Sequence, residues 1–250
     1  MERIKPLRDL VYKRVGGSDL KMDVYLPRRN RVRAPIVVFV HGGRVPANLR
    51  TTPKDWGAYV SFGQLAAASG FVGVTFNHRF YQWESLSDSE SDITAAINYV
   101  RENAARFDAD PNRVVFWAVS AGGIFFSQPL RDRPEFIKAL VGYYPEVNLQ
   151  ASRQSAPATV SDQTLRQFSP VTYLTAGKSL PPILIARAGL DDPELNAGVD
   201  LFMKMALERN LTVELMNHPT GHHGFDIEDN NDRSREILKR TIEFIREHSR

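Results

Sequence analysis

The chain contains no cysteine. That excludes disulfides, thiolate metal ligands and a thiol nucleophile, and it fits a cytoplasmic protein. Long apolar runs are missing too: none approaches the roughly 20 residues that a membrane-spanning helix needs. The first ten residues, MERIKPLRDL, lack the apolar stretch of a secretory leader, so a cytoplasmic location is expected. An excess of one charge is absent as well. The 32 basic and 29 acidic side chains leave a net charge of +3, and no basic stripe is joined to a readout motif, so no nucleic-acid partner is expected. One basic cluster, RRNRVR at 28–33, lies between two strand-like runs and reads as a solvated loop. Internal repeats and low-complexity tracts are lacking. The 250 residues, 42% of them hydrophobic, suffice for one domain with a large core and no covalent staples.

What is present is alternation. LVYKRV and LKMDVYLP flank Gly16-Gly17 and read as a hairpin. IVVFV (36–40) is a continuous β-branched run of the kind buried on both faces of a sheet. GQLAAAS then reads as a helix, FVGVTF (71–76) as a strand, and 88–103 as an amphipathic helix on the spacing of Ile93, Ala96, Ile97 and Val100, with Ser89 or Ser91 as its cap. RVVFWA (113–118), ALVGYY (139–144), PILIAR (182–187) and LTVELMN continue the strands. Helices marked by Leu195, Val199, Phe202 and Ala206, and by Leu238, Thr241, Ile242 and Ile245, close the series. The pattern predicts an α/β fold over 1–250 as a single domain: a mostly parallel central sheet, helices on both faces, and an antiparallel edge at the N-terminus. Residues 146–170 are polar and aperiodic, too long for a routine connection; with 44–62 they are the expected lid or substrate loops.

Four strand ends carry candidate chemistry. In VVFWAVSAGGIFF (114–126), Ser120 follows a strand and precedes a helix-like segment. Small residues two before and two after it, Ala118 and Gly122, permit a sharp turn, and the N–H of Ala121 would then face the site. The same pattern also occurs where a strand and a helix merely pack. His41-Gly42-Gly43 ends another strand; the N–H groups of Gly42 and Gly43 suit an oxyanion, or the pair is an ordinary turn. In GLDDPELN, Asp191 or Asp192 could orient a histidine while the other caps the helix starting near Pro193, and Asp191 is the preferred acid. NHPTGHHGFD (217–226) holds three of the six histidines. His223 is the expected base and His218 and His222 the structural ones. A metal site from His218, His222 and Asp226 is disfavoured because Pro219 and Gly221 leave no helix to align ligands. No metal and no cofactor are expected.

The order Ser120, Asp191, His223, with the Gly-Gly element upstream, resembles the α/β-hydrolase fold, and within it the carboxylesterase/lipase group with an HGG-type oxyanion motif, which includes hormone-sensitive-lipase-like and small aryl or acetyl esterases. HGG, VSAGG, AGLDDPELN and HHGF match in position, and FNHRF (76–80) is similar to the Asn-Tyr-Arg segment of these enzymes. Two departures stand out. Ala118 replaces the first glycine of the nucleophile turn, and the large N-terminal cap of hormone-sensitive-lipase relatives is missing. The resemblance implies hydrolysis of a small-molecule carboxylic ester through an acyl-enzyme, with Ser120, His223 and Asp191 as triad and Gly42, Gly43 and Ala121 as oxyanion donors. Trp56, Phe80 and Tyr81 are the expected substrate-wall aromatics. A peptidase or thioesterase with the same triad, and a non-catalytic binding protein on the same fold, are the alternatives. Nothing in the sequence specifies an oligomeric state.

Overall fold

Runs rich in β-branched and aromatic residues pair into one sheet because only there can both faces be covered by apolar helices. The computed structural model describes residues 4–28, 32–46, 48–175 and 180–250. In chain order the elements are β1 (Leu7–Val15), β2 (Ser18–Tyr25), β3 (Ala34–Val40), α1 (Gly57–Ala68), β4 (Val72–Phe76), α2 (Leu86–Glu102), β5 (Ala109–Val119), α3 (Ser127–Asp132), β6 (Ile137–Tyr143), α4 (Asp162–Gln167), β7 (Ile183–Ala188), α5 (Pro193–Glu208), β8 (Val213–His218), α6 (Phe225–Glu228) and α7 (Asp232–His248). The strand order is β1-β2-β4-β3-β5-β6-β7-β8. β1 and β2 are antiparallel, β2 joins β4 antiparallel, and every pair from β4 to β8 is parallel. The expected antiparallel edge and parallel centre are therefore both present.

Alternation along the strands divides the core in two. Ile36, Val38, Val40, Val114, Phe116 and Ala118 face the helices α2, α3 and α5. Val37, Phe39, Val115, Trp117, Val141 and Leu184 face α1 and α7. With both faces sealed, the carboxyl ends of β3, β5, β6, β7 and β8 form the rim where ligands bind in such sheets.

Three details differ from the sequence expectation. Helix α1 begins at Gly57, so 57–62 is helix and not loop; its N-terminal turn carries none of the acidic or capping signals that mark a start. Helix α2 begins at Leu86 with Ser85 ahead of it, while Ser89 lies inside and donates to the Ser85 carbonyl at 2.9 Å. Residues 146–170 are not irregular: they hold a 3-10 segment (Leu149–Gln154), α4, and the start of a second 3-10 turn (Pro170–Tyr173). Elements this short carry too few residues for a 3.6-residue period to show. Arg29, Asn30 and Arg31 of the basic cluster lie outside the described residues. Among the described residues, no helix is long and apolar enough to cross a membrane.

Candidate active site

β5 ends at Val119, and Ser120 turns the chain at φ +56°, a left-handed conformation costly for a residue with a Cβ. A 3-10 segment (Ser120–Phe126) folds back over the strand and leads directly into α3. The turn is tight enough to require glycine behind it. A Cβ on Gly122 would lie 2.8 Å from the Val40 carbonyl oxygen and 2.9 Å from that of His41. A Cβ on Gly123 would meet Glu146 O at 2.7 Å. Ala118 is fully buried, flanked in the sheet by Val40 on β3 and Gly142 on β6. The space that a Cβ on Gly142 would take is filled by Pro145, Ile185 and Phe126. The Ser120 carbonyl accepts from the N–H of Glu146 at 3.0 Å, tying the turn to the chain leaving β6.

Three strand ends converge on Ser120. His223, in the loop after β8, places Nε2 2.8 Å from Ser120 Oγ and Nδ1 2.7 Å from Asp191 Oδ2. The imidazole is 44% exposed while the Asp191 side chain is 5% exposed, so the carboxylate is shielded and the ring reachable. Asp191 Oδ1 accepts from the Asp192 N–H at 2.7 Å. Asp192 caps α5 instead, accepting from the Glu194 N–H at 2.8 Å. Of the two adjacent acids, Asp191 thus contacts the imidazole and Asp192 the helix N-terminus. A neutral imidazole with Nδ1–H bonded to Asp191 leaves Nε2 to accept the serine proton.

The β3 end supplies the other wall. A Cβ on Gly42 would sit 2.7 Å from Ser120 Cβ, so this loop and the serine turn are in direct contact. Gly43 has φ +70°, which favours glycine. The N–H groups of Gly43 and Ala121 have no acceptor among the described residues. The Gly42 backbone faces the Tyr59 hydroxyl and opposes the upward push that burial gives that phenol. His41 and His78 stack at 3.7 Å beneath the loop. The His78 N–H donates to His41 Nε2 at 3.4 Å, the His78 Nε2–H donates to the His41 carbonyl at 3.2 Å, and the His41 Nδ1–H donates to the Gly42 carbonyl at 3.1 Å. Burial pushes His41 down to about 4 and His78 well below its ordinary value, so both stay neutral and this bonding pattern holds at neutral pH.

The remaining predicted residues are placed less uniformly. Phe80 is a correction: at 4% exposure it packs edge-on to Phe125 at 5.5 Å in the core and presents no face to a substrate. Tyr81 is 41% exposed. Trp56 donates to the Thr51 carbonyl at 3.0 Å and stands two rings from the Gly42 loop, through Tyr59 and His41. Residues 51–55 are pinned by Asn77, which accepts from the Lys54 N–H and donates to Thr52, and by the buried Lys54 ammonium between Asp9, Asp23 and Asp55. The segment 146–170 instead borders a cavity of about 240 Å³ beside the acid loop, lined by Glu146, Asn148, Ser152, Asp192 and Leu195 among others. His218, His222 and Asp226 do not converge: His218 bonds Asn231 and Ser234, His222 bonds Asp229, and Asp226 bonds Tyr144.

A pairing near His223 escaped the sequence reading, which weighed Asp226 only as a metal ligand and Tyr144 only as part of a strand. The Tyr144 ring lies 4.4 Å from the His223 imidazole, and its hydroxyl donates to Asp226 Oδ1 at 2.7 Å. Burial pushes the Asp226 carboxyl up to about 6, against the Tyr144 hydrogen bond that lowers it. A folded-state value raised above the unfolded one means that Asp226 favours folding below about pH 4 and loses that contribution as pH rises through about 6. Asp226→Asn is expected to raise unfolding free energy by about 2–3 kcal/mol at pH 8, with the gain shrinking toward pH 4. Urea titrations of both proteins at the two pH values measure it.

Comparison with known proteins adds to this geometry. The family model described as BD-FAE matches residues 22–127. The isoprenylcysteine alpha-carbonyl methylesterase of Arabidopsis thaliana is 31% identical over 102 residues, 41% of this chain and 22% of that protein; the chain thus spans under a quarter of that relative's length. The carboxylesterase NlhH of Mycobacterium tuberculosis is 27% identical over 238 residues, covering 84% of this chain and 72% of that one. Among solved structures, esterase 2 of Thermogutta terrifontis superposes with a TM-score of 0.77 at 21% identity, over 98% of this chain and 92% of the other. The fold is that of the α/β-hydrolases.

Proposed function

We propose that this chain, a member of the α/β-hydrolase carboxylesterase family, hydrolyses small carboxylic esters through an acyl-enzyme on Ser120. The observation that carries the reading is the relay Asp191–His223–Ser120, with 2.7 Å and 2.8 Å between successive polar atoms. His223 takes the Ser120 proton as Oγ attacks the carbonyl carbon. Asp191 holds the imidazole and balances its charge. The oxyanion is received by the N–H groups of Gly43 and Ala121, unpaired among the described residues, with Gly42 fixing the loop against the serine turn. Each such donor is worth about 3–4 kcal/mol in the transition state. The alcohol leaves with the proton from His223, and water, activated by the same imidazole, releases the acid.

The whole chain works as one unit in this reading, with 146–170 as the substrate-side wall and Trp56 and Tyr81 as further wall aromatics. The cavity of about 240 Å³ beside Asp191 has acidic and amide side chains in its lining. Ser120, His223, Gly42 and Gly43 do not line it; it adjoins the relay through Glu146 and Asp192.

The test uses a fluorophosphonate probe and nitrophenyl esters. Wild type is expected to be labelled and to turn over nitrophenyl esters, and Ser120→Ala to do neither. An unlabelled wild type would point to a binding protein on this fold. Labelling combined with turnover of peptides or thioesters but not of oxygen esters would point to another acyl transfer by the same groups.

A further inference from the structure

His223 is braced twice. Asp191 holds one edge of the ring, as the chemistry of the relay requires. The second brace is an aromatic ring packed against it. Tyr144 follows β6 directly, and its N–H extends the ladder to the Ala186 carbonyl at 2.7 Å. Its φ is +37°, an unusual left-handed value for an aromatic residue. From that strained backbone the ring approaches the imidazole to 4.4 Å, tilted by 54°. Phe225 backs it edge-on at 5.7 Å, and that residue in turn stacks on Tyr143. The Tyr144 hydroxyl is tied to Asp226 Oδ1, while Asp226 Oδ2 is buried without a hydrogen-bond partner among the described residues. A buried carboxylate with one free oxygen is costly, and such groups persist where their charge is used.

We propose that Tyr144 and Asp226 form a second support for His223, in which the Tyr144 ring packs against the imidazole and the Asp226 carboxylate behind it stabilises the imidazolium that forms as Ser120 attacks. Neither residue touches the reacting atoms; both are positioning residues that act through the histidine. An aromatic face attracts a cation set over it, and a carboxylate in a partly dry pocket acts over several ångströms. The groups facing Asp226 are Tyr143 from β6, Tyr144 just after it, Tyr59 from α1, His223 from the preceding loop, and Glu228 from α6 itself. Burial pushes all three phenols up, so they stay neutral in the working pH range, and His223 is the group of opposite charge when protonated.

The inference rests on the serine-hydrolase reading, and its test separates the two. The second-order rate of fluorophosphonate labelling is measured from pH 8 to pH 5. In wild type, loss of the Asp226 charge slows labelling on top of protonation of the imidazole, so the acid limb is expected to steepen beyond a log–log slope of one, to about 1.5. In Asp226→Asn the slope should drop to about one, with a rate at pH 8 about tenfold lower. Tyr144→Phe keeps the ring and unties the carboxylate, leaving both its oxygens without a partner; the second break in the limb should move to higher pH. Circular dichroism identifies which variants are folded. Slopes equal in wild type and Asp226→Asn, or an unmoved break in Tyr144→Phe where only that variant folds, overturn the proposal and leave the hydrolase reading intact. A wild type that takes no label at any pH overturns both.

Discussion

Replacing His223 by alanine is expected to lower kcat on a nitrophenyl ester by about 10⁵- to 10⁶-fold, while KM changes little. Nε2 is the acceptor 2.8 Å from Ser120 Oγ, and no other ring nitrogen is bonded to that oxygen among the described residues. Without it the serine hydroxyl must lose its proton to solvent, at a pH where it scarcely ionises. The residual rate should exceed that of the uncatalysed reaction by about 10³–10⁴, because the oxyanion donors remain. The double variant Ser120→Ala/His223→Ala should be no slower than either single one, since the two groups act as a unit. Wild-type turnover in His223→Ala would remove the residue from the mechanism.

Gly42→Ala is the second large effect. A Cβ there would lie 2.5 Å from the Val119 carbonyl oxygen, 2.7 Å from Ser120 Cβ and 3.0 Å from the Ala121 nitrogen. All three atoms belong to the nucleophile turn, and none is the tip of a flexible side chain. Either the 41–44 loop or the serine must move, and either shift separates the oxyanion donors from the attacking oxygen. A displacement of about 1 Å in such a site costs about 100-fold in kcat, and the overpacking should remove about 1–3 kcal/mol of stability. Gly57→Ala is the control, since its added methyl meets nothing within 4 Å. Steady-state kinetics on the folded proteins and urea midpoints measure both effects. A Gly42→Ala protein with wild-type kcat/KM would show that the loop yields away from the serine.

Ser120, Asp191 and His223 were legible because each stands at a strand end marked by local chemistry: small residues around the serine, paired acids before a proline, histidines before Gly224 and Phe225. The division between Asp191 and Asp192 also follows from local rules, because a cap must precede its helix by one residue. Phe80 was misplaced because aromatic identity carries no direction; its side chain turns into the core beside Phe125. The pairing of Tyr144 with Asp226 was not legible, since it depends on a left-handed residue after β6 and on a four-residue helix, α6. Neither has a periodicity to read. The short helices of 146–170 were hidden for the same reason, and the start of α1 was hidden because Trp56 supplies no side-chain cap.

The bond from the Glu146 amide to the Ser120 carbonyl constrains how this molecule can admit a substrate. A rearrangement of the chain beyond β6 that included Glu146 would tug on the peptide of the attacking residue itself. The next residue is anchored too, the buried Val147 carbonyl accepting from the Val171 N–H at 3.1 Å, so the segment beside the nucleophile is held at two successive peptides.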